Sequence, residues 1–406
     1  MTRTDPSPFP AQLVLCPHYP PRRFGGIEKV VQQIARAHAR DGDRVLVATL
    51  DLHLDPPAKG SELWILDTDD GVPVLRIPCR APSAGRRTET MLDRQDDLVR
   101  AVEGHGLARH SNRGAPWVLQ VHDWFAAPAA LALKRRYGLP ILALFHSDKR
   151  AETEGELAPR KQRIVELQRQ LAHRADAHFC LSAAMADSLA RSLDLPRDRF
   201  EVLPCGIDEG VETHLDRPRT PEPRILYLGR LQTEKEVDVL VRAFARVAER
   251  LGPVRLQIVG RGRQREALEA LGESLGVASR IDFEPFTSDS TIVDRALREA
   301  AVLVLPSRLE GFGLVVLEAM VRGTPVITSR CGGPTEIVRC GETGRCFDVG
   351  DVAALAKHLA DTFEDWERTQ SMAREGWHDV RRRFRWSQTS HRLRRAARRL
   401  LAAPDR

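Results

Sequence analysis

No apolar run in this 406-residue chain approaches 18 residues, the length a helix needs to cross a bilayer. A membrane-spanning helix is therefore not expected. The start, Met1 to Pro10, is polar and proline-bearing and lacks the basic head and apolar core of a secretion signal. Cys-x-x-Cys pairs are also missing. The seven cysteines, at 16, 79, 180, 205, 331, 340 and 346, are odd in number, which argues for reduced thiols in the cytoplasm rather than a disulfide framework. Cys331, Cys340 and Cys346 lack close pairing and a neighbouring histidine, so they do not read as a zinc site. Gly260-Arg-Gly-Arg lacks the third glycine of a dinucleotide fingerprint, which argues against a nicotinamide cofactor. The basic residues match no recognised reading module, which argues against nucleic acid as a partner.

What is present fits an α/β protein of two domains. Hydrophobic residues at 42% and charged residues at 29% are ordinary for a globular chain, and the length allows two separate cores. Short apolar runs alternate with helical patterns, the signature of parallel sheets covered by helices on both faces. In the first half the expected strands are 12–15, 44–49, 74–78, 117–122, 141–146, 178–181 and 200–203. Ile27 to Arg40 carries apolar residues at 27, 30, 31, 34 and 37, a stripe suited to packing on a sheet. Gly25-Gly26 at its mouth is read either as backbone brought against an anion or as a plain strand-to-helix turn. Residues 209–223 hold three prolines and no periodicity and are expected to link residues 1–208 to a second domain, 224–380. That domain's strands are expected at 224–228, 255–259, 281–283, 302–306 and 325–328.

Two clusters in the second domain carry chemistry. Glu310-Gly-Phe-Gly-Leu-Val-Val-Leu-Glu318 places two carboxylates either side of a glycine turn and the start of a helix, Leu314 to Arg322, that stops at Gly323. Unpaired amides of Gly313, Leu314 and Val315, with the positive end of the helix dipole behind them, make a phosphate seat. A carboxylate accepts from two hydroxyls, so Glu318 suits a ribose diol and Glu310 a sugar ring; the plain alternative is surface charge on a helix. In the second cluster, Ile225-Leu-Tyr-Leu-Gly-Arg230-Leu-Gln-Thr-Glu-Lys235, an apolar strand runs out into a glycine, an arginine and a lysine. Ligands bind at such strand ends in open α/β sheets. The Arg230 fork and the Lys235 point charge together suit a diphosphate.

These segments, with Gly332-Gly333-Pro334-Thr335-Glu336, Phe24-Gly25-Gly26-Ile27-Glu28, Leu181-Ser182-Ala183-Ala184-Met185 and Val202-Leu203-Pro204-Cys205-Gly206-Ile207-Asp208, make the chain similar to retaining nucleotide-sugar glycosyltransferases of family 4 over nearly its whole length. The resemblance implies the GT-B fold, two Rossmann-like doubly wound parallel-sheet domains facing a central cleft. It implies transfer of a sugar, with retained anomeric configuration, from a nucleoside-diphosphate sugar to a lipid-linked, glycan or small-molecule acceptor. No cofactor and no essential metal are implied. Arg230, Lys235 and the amides of Gly313 to Val315 would steady the departing diphosphate, Glu310 the sugar and Glu318 the ribose. Gly25 and Gly26 would close over the phosphates, and His146, or its rival His122, would face the sugar. Two other readings stay open: a nucleotide-sugar epimerase on the same fold, or a catalytically silent nucleotide-sugar-binding subunit.

The sequence departs from the family pattern at Cys205, where asparagine is common, at Glu236, where glycine is common, and at Arg261, where an acid often sits. Asp67-Thr68-Asp69 has the Asp-x-Asp form that another transferase fold uses to hold manganese, but followed by Asp70-Gly71 it reads better as a turn. From residue 381 onward there are ten arginines and one aspartate, a net of +9 against +6 for the chain. Phe384, Trp386, Leu393, Ala397, Leu400 and Leu401 fall on one face of a helix spanning 381–406. By resemblance this helix returns to the first domain; the alternative is contact with anionic lipid at the inner face of the membrane.

Overall fold

The structure is a computed structural model that describes residues 10–21, 25–55, 64–80, 87–107, 116–153, 158–208, 210–215, 221–287 and 289–402. It divides into two compact units. The first gathers residues 1–181, 185–204 and 386–406; the second gathers 182–184 and 205–385.

The first unit is built on an eight-stranded sheet: β1 (Ala11–Cys16), β2 (Val45–Asp51), β3 (Ile65–Asp69), β4 (Val72–Pro78), β5 (Trp117–His122), β6 (Ile141–Phe145), β7 (Ala177–Cys180) and β8 (Phe200–Val202). Their spatial order is β3-β4-β2-β1-β5-β6-β7-β8. All pairs are parallel except β3 with β4. Every residue of β1, β2, β5 and β6 is buried, as expected of central strands covered on both faces, which is why these segments read as continuous apolar runs. The strand β3 is not among those expected. Its Ile65-Leu-Asp-Thr-Asp69 sequence is mostly exposed at the sheet edge and alternates too weakly to stand out. It also corrects the reading of 67–69 as a turn. The turn is Asp70-Gly71, both at positive φ, and the carboxylates before it lie on the strand. Asp67 accepts from Arg76 Nε at 2.9 Å, and Asp69 from Arg36 Nε at 3.0 Å, the Tyr19 hydroxyl at 2.8 Å and Gln32.

The second unit holds a six-stranded, wholly parallel sheet: β9 (Arg224–Leu228), β10 (Arg255–Val259), β11 (Ile281–Glu284), β12 (Val302–Leu305), β13 (Val326–Ser329) and β14 (Arg345–Phe347). They stand in the order β11-β10-β9-β12-β13-β14. The helices Val237–Val247 and Val352–Glu364 cover the sheet through Leu240, Phe244, Leu355 and Leu359. Three residues at an edge give β14 too little pattern to be legible in advance. Within the span expected to be a linker, His214 N donates to the Arg322 carbonyl at 3.2 Å and Trp377 Nε1 to Thr213 at 3.2 Å, so residues 213 and 214 dock on the end of the helix Leu314–Val321; residues 216–220 lie outside the described residues.

The basic tail is not one helix. The helix Trp366–Arg383 ends, Phe384 and Arg385 run extended with Ile207 bridged to Arg385, and a new helix covers Trp386–Ala402. That last helix clusters with the first unit, where Arg394 binds Asp43 at 2.9 Å and Asp41 at 2.8 Å, and Ser390 Oγ lies 3.1 Å from His38 Nδ1. Among the described residues no helix is long and apolar enough to cross a membrane.

Gly260 and Gly262 have a packing explanation that needs no cofactor. A Cβ on Gly260 would overlap the Gly229 carbonyl, and one on Gly262 the carbonyl of Leu231, because the loops after β9 and β10 are stitched together by Leu231 N to Arg261 O at 2.9 Å and Gln264 N to Leu231 O at 3.1 Å. Gly262→Ala is expected to lower unfolding stability by about 1–3 kcal/mol, the usual cost of overpacking. Urea denaturation checks this, and an unchanged midpoint would contradict the close approach.

Candidate functional site

Among the parallel strands of each sheet one place exists where strand order reverses, and ligands of open α/β folds bind at the carboxyl ends of the strands there. In the second unit it lies between β9 and β12. The chain leaves β9 into Gly229-Arg230 and leaves β12 into Pro306-Ser-Arg-Leu-Glu310, so sheet order alone brings the two motif clusters to one edge.

Lys235 and Glu310 meet directly. The Lys235 ammonium donates to Glu310 Oε2 at 2.8 Å and to the Leu309 carbonyl at 3.1 Å, and Lys235 is only 8% exposed. Backbone bonds from Arg308 N and Leu309 N to the Glu234 carbonyl, at 2.9 and 3.3 Å, zip the two loops together. A buried cation and a half-buried carboxylate in contact form a charge-assisted hydrogen bond whose partners keep lone pairs and protons for a ligand. Arg230 does not join them. It is exposed and pairs with Glu234 at 3.2 Å, while the buried Tyr227 hydroxyl holds the Arg230 carbonyl at 2.7 Å. Burial, reinforced by the nearby Glu310 charge, pushes the Tyr227 phenol up, so it stays a neutral donor.

The helix after Glu310 begins as the sequence requires. Gly313 caps it at φ +91°, and the helix runs Leu314–Val321 with Glu318 half-buried on it. Val316 N and Leu317 N fold back on the Gly313 carbonyl. The amides of Gly313, Leu314 and Val315 have no protein acceptor among the described residues. The third glycine segment packs against this turn: a Cβ on Gly313 would meet the Pro334 ring at 2.9 Å, and one on Gly333 would overlap the backbone of Phe312. Glu336, at the end of that segment, accepts from the amides of Ala183 and Ala184, both at 3.1 Å, and Ser182 Oγ donates to the Gly311 carbonyl at 2.7 Å. Two motifs about 150 residues apart in the chain thus meet within the second unit. Glu236 adopts φ +44°, a conformation that favours glycine, and its carboxylate lies 3.3 Å from Arg308 Nε. Of the other departures, Cys205 is buried, and Arg261 stacks over Phe286.

In the first unit the order reverses between β1 and β5. Gly25 and Gly26 follow β1, His122 ends β5 and His146 follows β6. The Gly25 amide is already bound to Glu28 Oε2 at 3.1 Å, across the turn into the helix Ile27–Arg40; Phe24 lies outside the described residues. His122 and His146 are one unit rather than rivals. His122 Nδ1 lies 3.0 Å from His146 Nε2, the rings stack at 5.2 Å, and both side chains are buried. Burial pushes His146 down to about 3, helped by the Lys149 charge, and burial followed by its neighbour His146 holds His122 well below its ordinary value. Both rings are therefore neutral and share one N–H between them, leaving His122 Nε2 and His146 Nδ1 without partners. No sequence signal links the two histidines, because their contact depends on β5 pairing with β6 in a register that sets His122 opposite Leu144.

Comparisons with known proteins speak to the family and the fold. The model of glycosyl transferases group 1 matches residues 216–378, and that of the glycosyl transferase 4-like domain matches residues 25–206. A glycogen synthase of Mycobacterium tuberculosis is 28% identical over 371 residues, covering 91% of this chain and 89% of the relative. Among solved structures, sucrose-phosphate synthase from Thermosynechococcus elongatus superposes with a TM-score of 0.80 at 24% identity, covering 97% of this chain and all of that one. The Anabaena protein HepE in complex with UDP-glucose superposes with a TM-score of 0.71 at 19% identity, over 97% of this chain and all of that one. With family models matching both halves of the chain and the same fold in these structures, the chain belongs to the family 4 glycosyltransferases of GT-B fold.

Proposed function

We propose that this glycosyltransferase takes a hexose from a nucleoside-diphosphate sugar and delivers it, with retained anomeric configuration, to a lipid-linked, glycan or small-molecule acceptor. One observation carries the reading. Lys235 touches Glu310 at 2.8 Å in the loop that leads into the helix Leu314–Val321, and no protein group among the described residues occupies that helix's amides at Leu314 and Val315. A cation and a helix start supply the charge pattern that a diphosphate completes. The complex of HepE with UDP-glucose supports a donor of this class.

In this reading the diphosphate exchanges Glu310 for itself on Lys235, and the released carboxylate orients the sugar hydroxyls. Glu318 holds the ribose. As the sugar–phosphate bond loosens, Lys235, Arg230 and the amides of Gly313 to Val315 meet the negative charge gathering on the leaving group, the largest effect a preorganised site provides. The positive charge is thus assigned to side chains and amides, with no metal ion or cofactor in the scheme. The acceptor hydroxyl attacks from the face the diphosphate leaves, which retains configuration. For His146 the reading is a neutral ring that hydrogen-bonds the sugar through Nδ1. In this reading the enzyme works in the cytoplasm, where Arg392, Arg395 and Arg399, exposed on the helix Trp386–Ala402, would meet anionic lipid.

A thermal-shift series with UDP, GDP, ADP, TDP and their sugars is expected to single out one nucleotide, with about 2.7 kcal/mol of stabilisation at a hundredfold excess over Kd. Lys235→Ala and Glu318→Ala should weaken that nucleotide about 10–100-fold. Glu310→Gln should leave its binding nearly intact and lower kcat about 10²–10³-fold. A melting point indifferent to every nucleotide would sink the donor site.

Liposome flotation tests the lipid contact: binding to acidic vesicles that salt abolishes is the expected result, and equal behaviour with neutral vesicles would refute it.

The buried histidines also set a pH dependence. In the unfolded chain a histidine gains its proton near 6.5, whereas folded His146 resists until about 3, so the unfolded state binds more protons as pH falls. This contribution to stability is complete above about pH 6.5 and is lost progressively toward pH 3, by at most ~1.4 kcal/mol per pH unit for this histidine. Urea midpoints from pH 7.5 to 4.5 would measure it, with His146→Gln expected to flatten the slope.

A further inference from the structure

The seven cysteines all lie among the described residues, and none is in a disulfide. Six are buried; Cys340 is exposed. Burial pushes the Cys16 and Cys79 thiols up to about 12 and Cys331 to about 11, so these three remain inert neutral thiols at ordinary pH. Cys340 has different surroundings. It sits where the chain folds back after the helix Pro334–Ile337: Cys340 is bridged to Gly344, and Gly341 N donates to the Gly344 carbonyl at 2.8 Å. The fold-back returns the chain into β14, where Cys346 pairs with Thr328 and is only 7% exposed. Cys346 stands two residues past Gly344, the bridge partner of Cys340, and burial, followed by the neighbouring Cys340 side chain, pushes its thiol up. A third group completes the cluster: Arg330, leaving β13, donates from a guanidinium nitrogen to the Cys340 sulfur at 3.3 Å and is anchored on its other side by Asp348 at 3.3 Å. The two sulfurs are the leading electrostatic partners of Arg330 and hold its guanidinium above its ordinary value.

From this arrangement we propose that Cys340 and Cys346 are a covalent modification site, a dithiol that a hydroperoxide converts reversibly into a disulfide across the Gly341–Arg345 turn. In the first step Cys340, beside the Arg330 donor, attacks the peroxide. An S–O bond forms as the O–O bond breaks, the sulfur gives up two electrons, and the thiol proton leaves with the other oxygen as water or an alcohol. In the second step the Cys346 sulfur attacks the Cys340 sulfenic acid: the S–S bond forms, the S–O bond breaks, and the hydroxyl departs as water with the Cys346 proton. Each thiol has one task, because Cys340 is exposed and Cys346 is the buried thiol on the strand that leaves the same turn. The proposal is independent of the donor-site reading, since no substrate enters it.

The test uses the full-length reduced protein and hydrogen peroxide. Brief iodoacetamide labelling of the native protein is expected to mark Cys340 at least ~10-fold faster than any other cysteine. After peroxide treatment the intact mass should fall by about 2 Da, the two hydrogens lost. Non-reducing peptide mapping should then show a Cys340–Cys346 link that dithiothreitol removes. The variant Cys346→Ser, its fold checked by melting temperature, should accumulate a dimedone adduct on Cys340 in place of the disulfide, and Arg330→Gln should slow the first step several-fold. Over-oxidation of Cys340 to the sulfinic acid with Cys346 left reduced would overturn the proposal. So would Cys340-linked dimers as the main product, or a Cys340 no more reactive than the buried thiols.

Discussion

Parallel pairing is the constraint on which the rest of this protein depends. Once strands run the same way, each must return through a covering helix, and every strand finishes at the same edge of its sheet. Where the order of strands reverses, two successive loops part and leave room beside exposed backbone. In the second unit that place falls between β9 and β12, and the loops there carry Arg230, Lys235 and Glu310. In the first unit it falls between β1 and β5, beside Gly25, Gly26 and His122. Chemistry and topology therefore share one cause.

Charge is placed with the same economy. Lys235 and Glu310 are partly withdrawn from water, and each would be costly alone, so they neutralise one another until something better arrives. The αL backbone of Glu236 carries strain of about 1–3 kcal/mol beside that pair, and its carboxylate is held by Arg308. In the first unit the helix Trp386–Ala402 shows what becomes of an arginine-rich stretch when one face must be buried. Arg394 is enclosed and met by Asp41 and Asp43, whereas Arg395 and Arg399 remain at the surface.

The histidine pair shows how burial sets chemical role. Taken singly, a histidine at a strand end suggests a group that titrates near neutrality. Enclosed together, His122 and His146 are held neutral, and their contact commits one nitrogen of each ring. What remains for a ligand is a hydrogen-bonding position rather than a proton reservoir.

Local pattern was enough to mark β9 and β10 to the residue, the helix Ile27–Arg40, and the glycine turn with the helix that follows Glu310, because buried parallel strands and amphipathic helices write themselves as apolar runs and stripes. It failed at β3 and β14, edge strands with too few buried residues to leave a pattern, and at Phe384-Arg385, where a continuous run of arginines hides a break between two helices. The sequence by itself determined the family, the alternation of strands and helices, and the residue types available at each strand end. Only the tertiary structure decided that Lys235 touches Glu310, that Arg230 turns instead to Glu234, that Glu336 binds the amides of Ala183 and Ala184, and that His122 and His146 share a proton. Each of these depends on strand order and register, which join residues distant in the chain and leave no trace in its local periodicity.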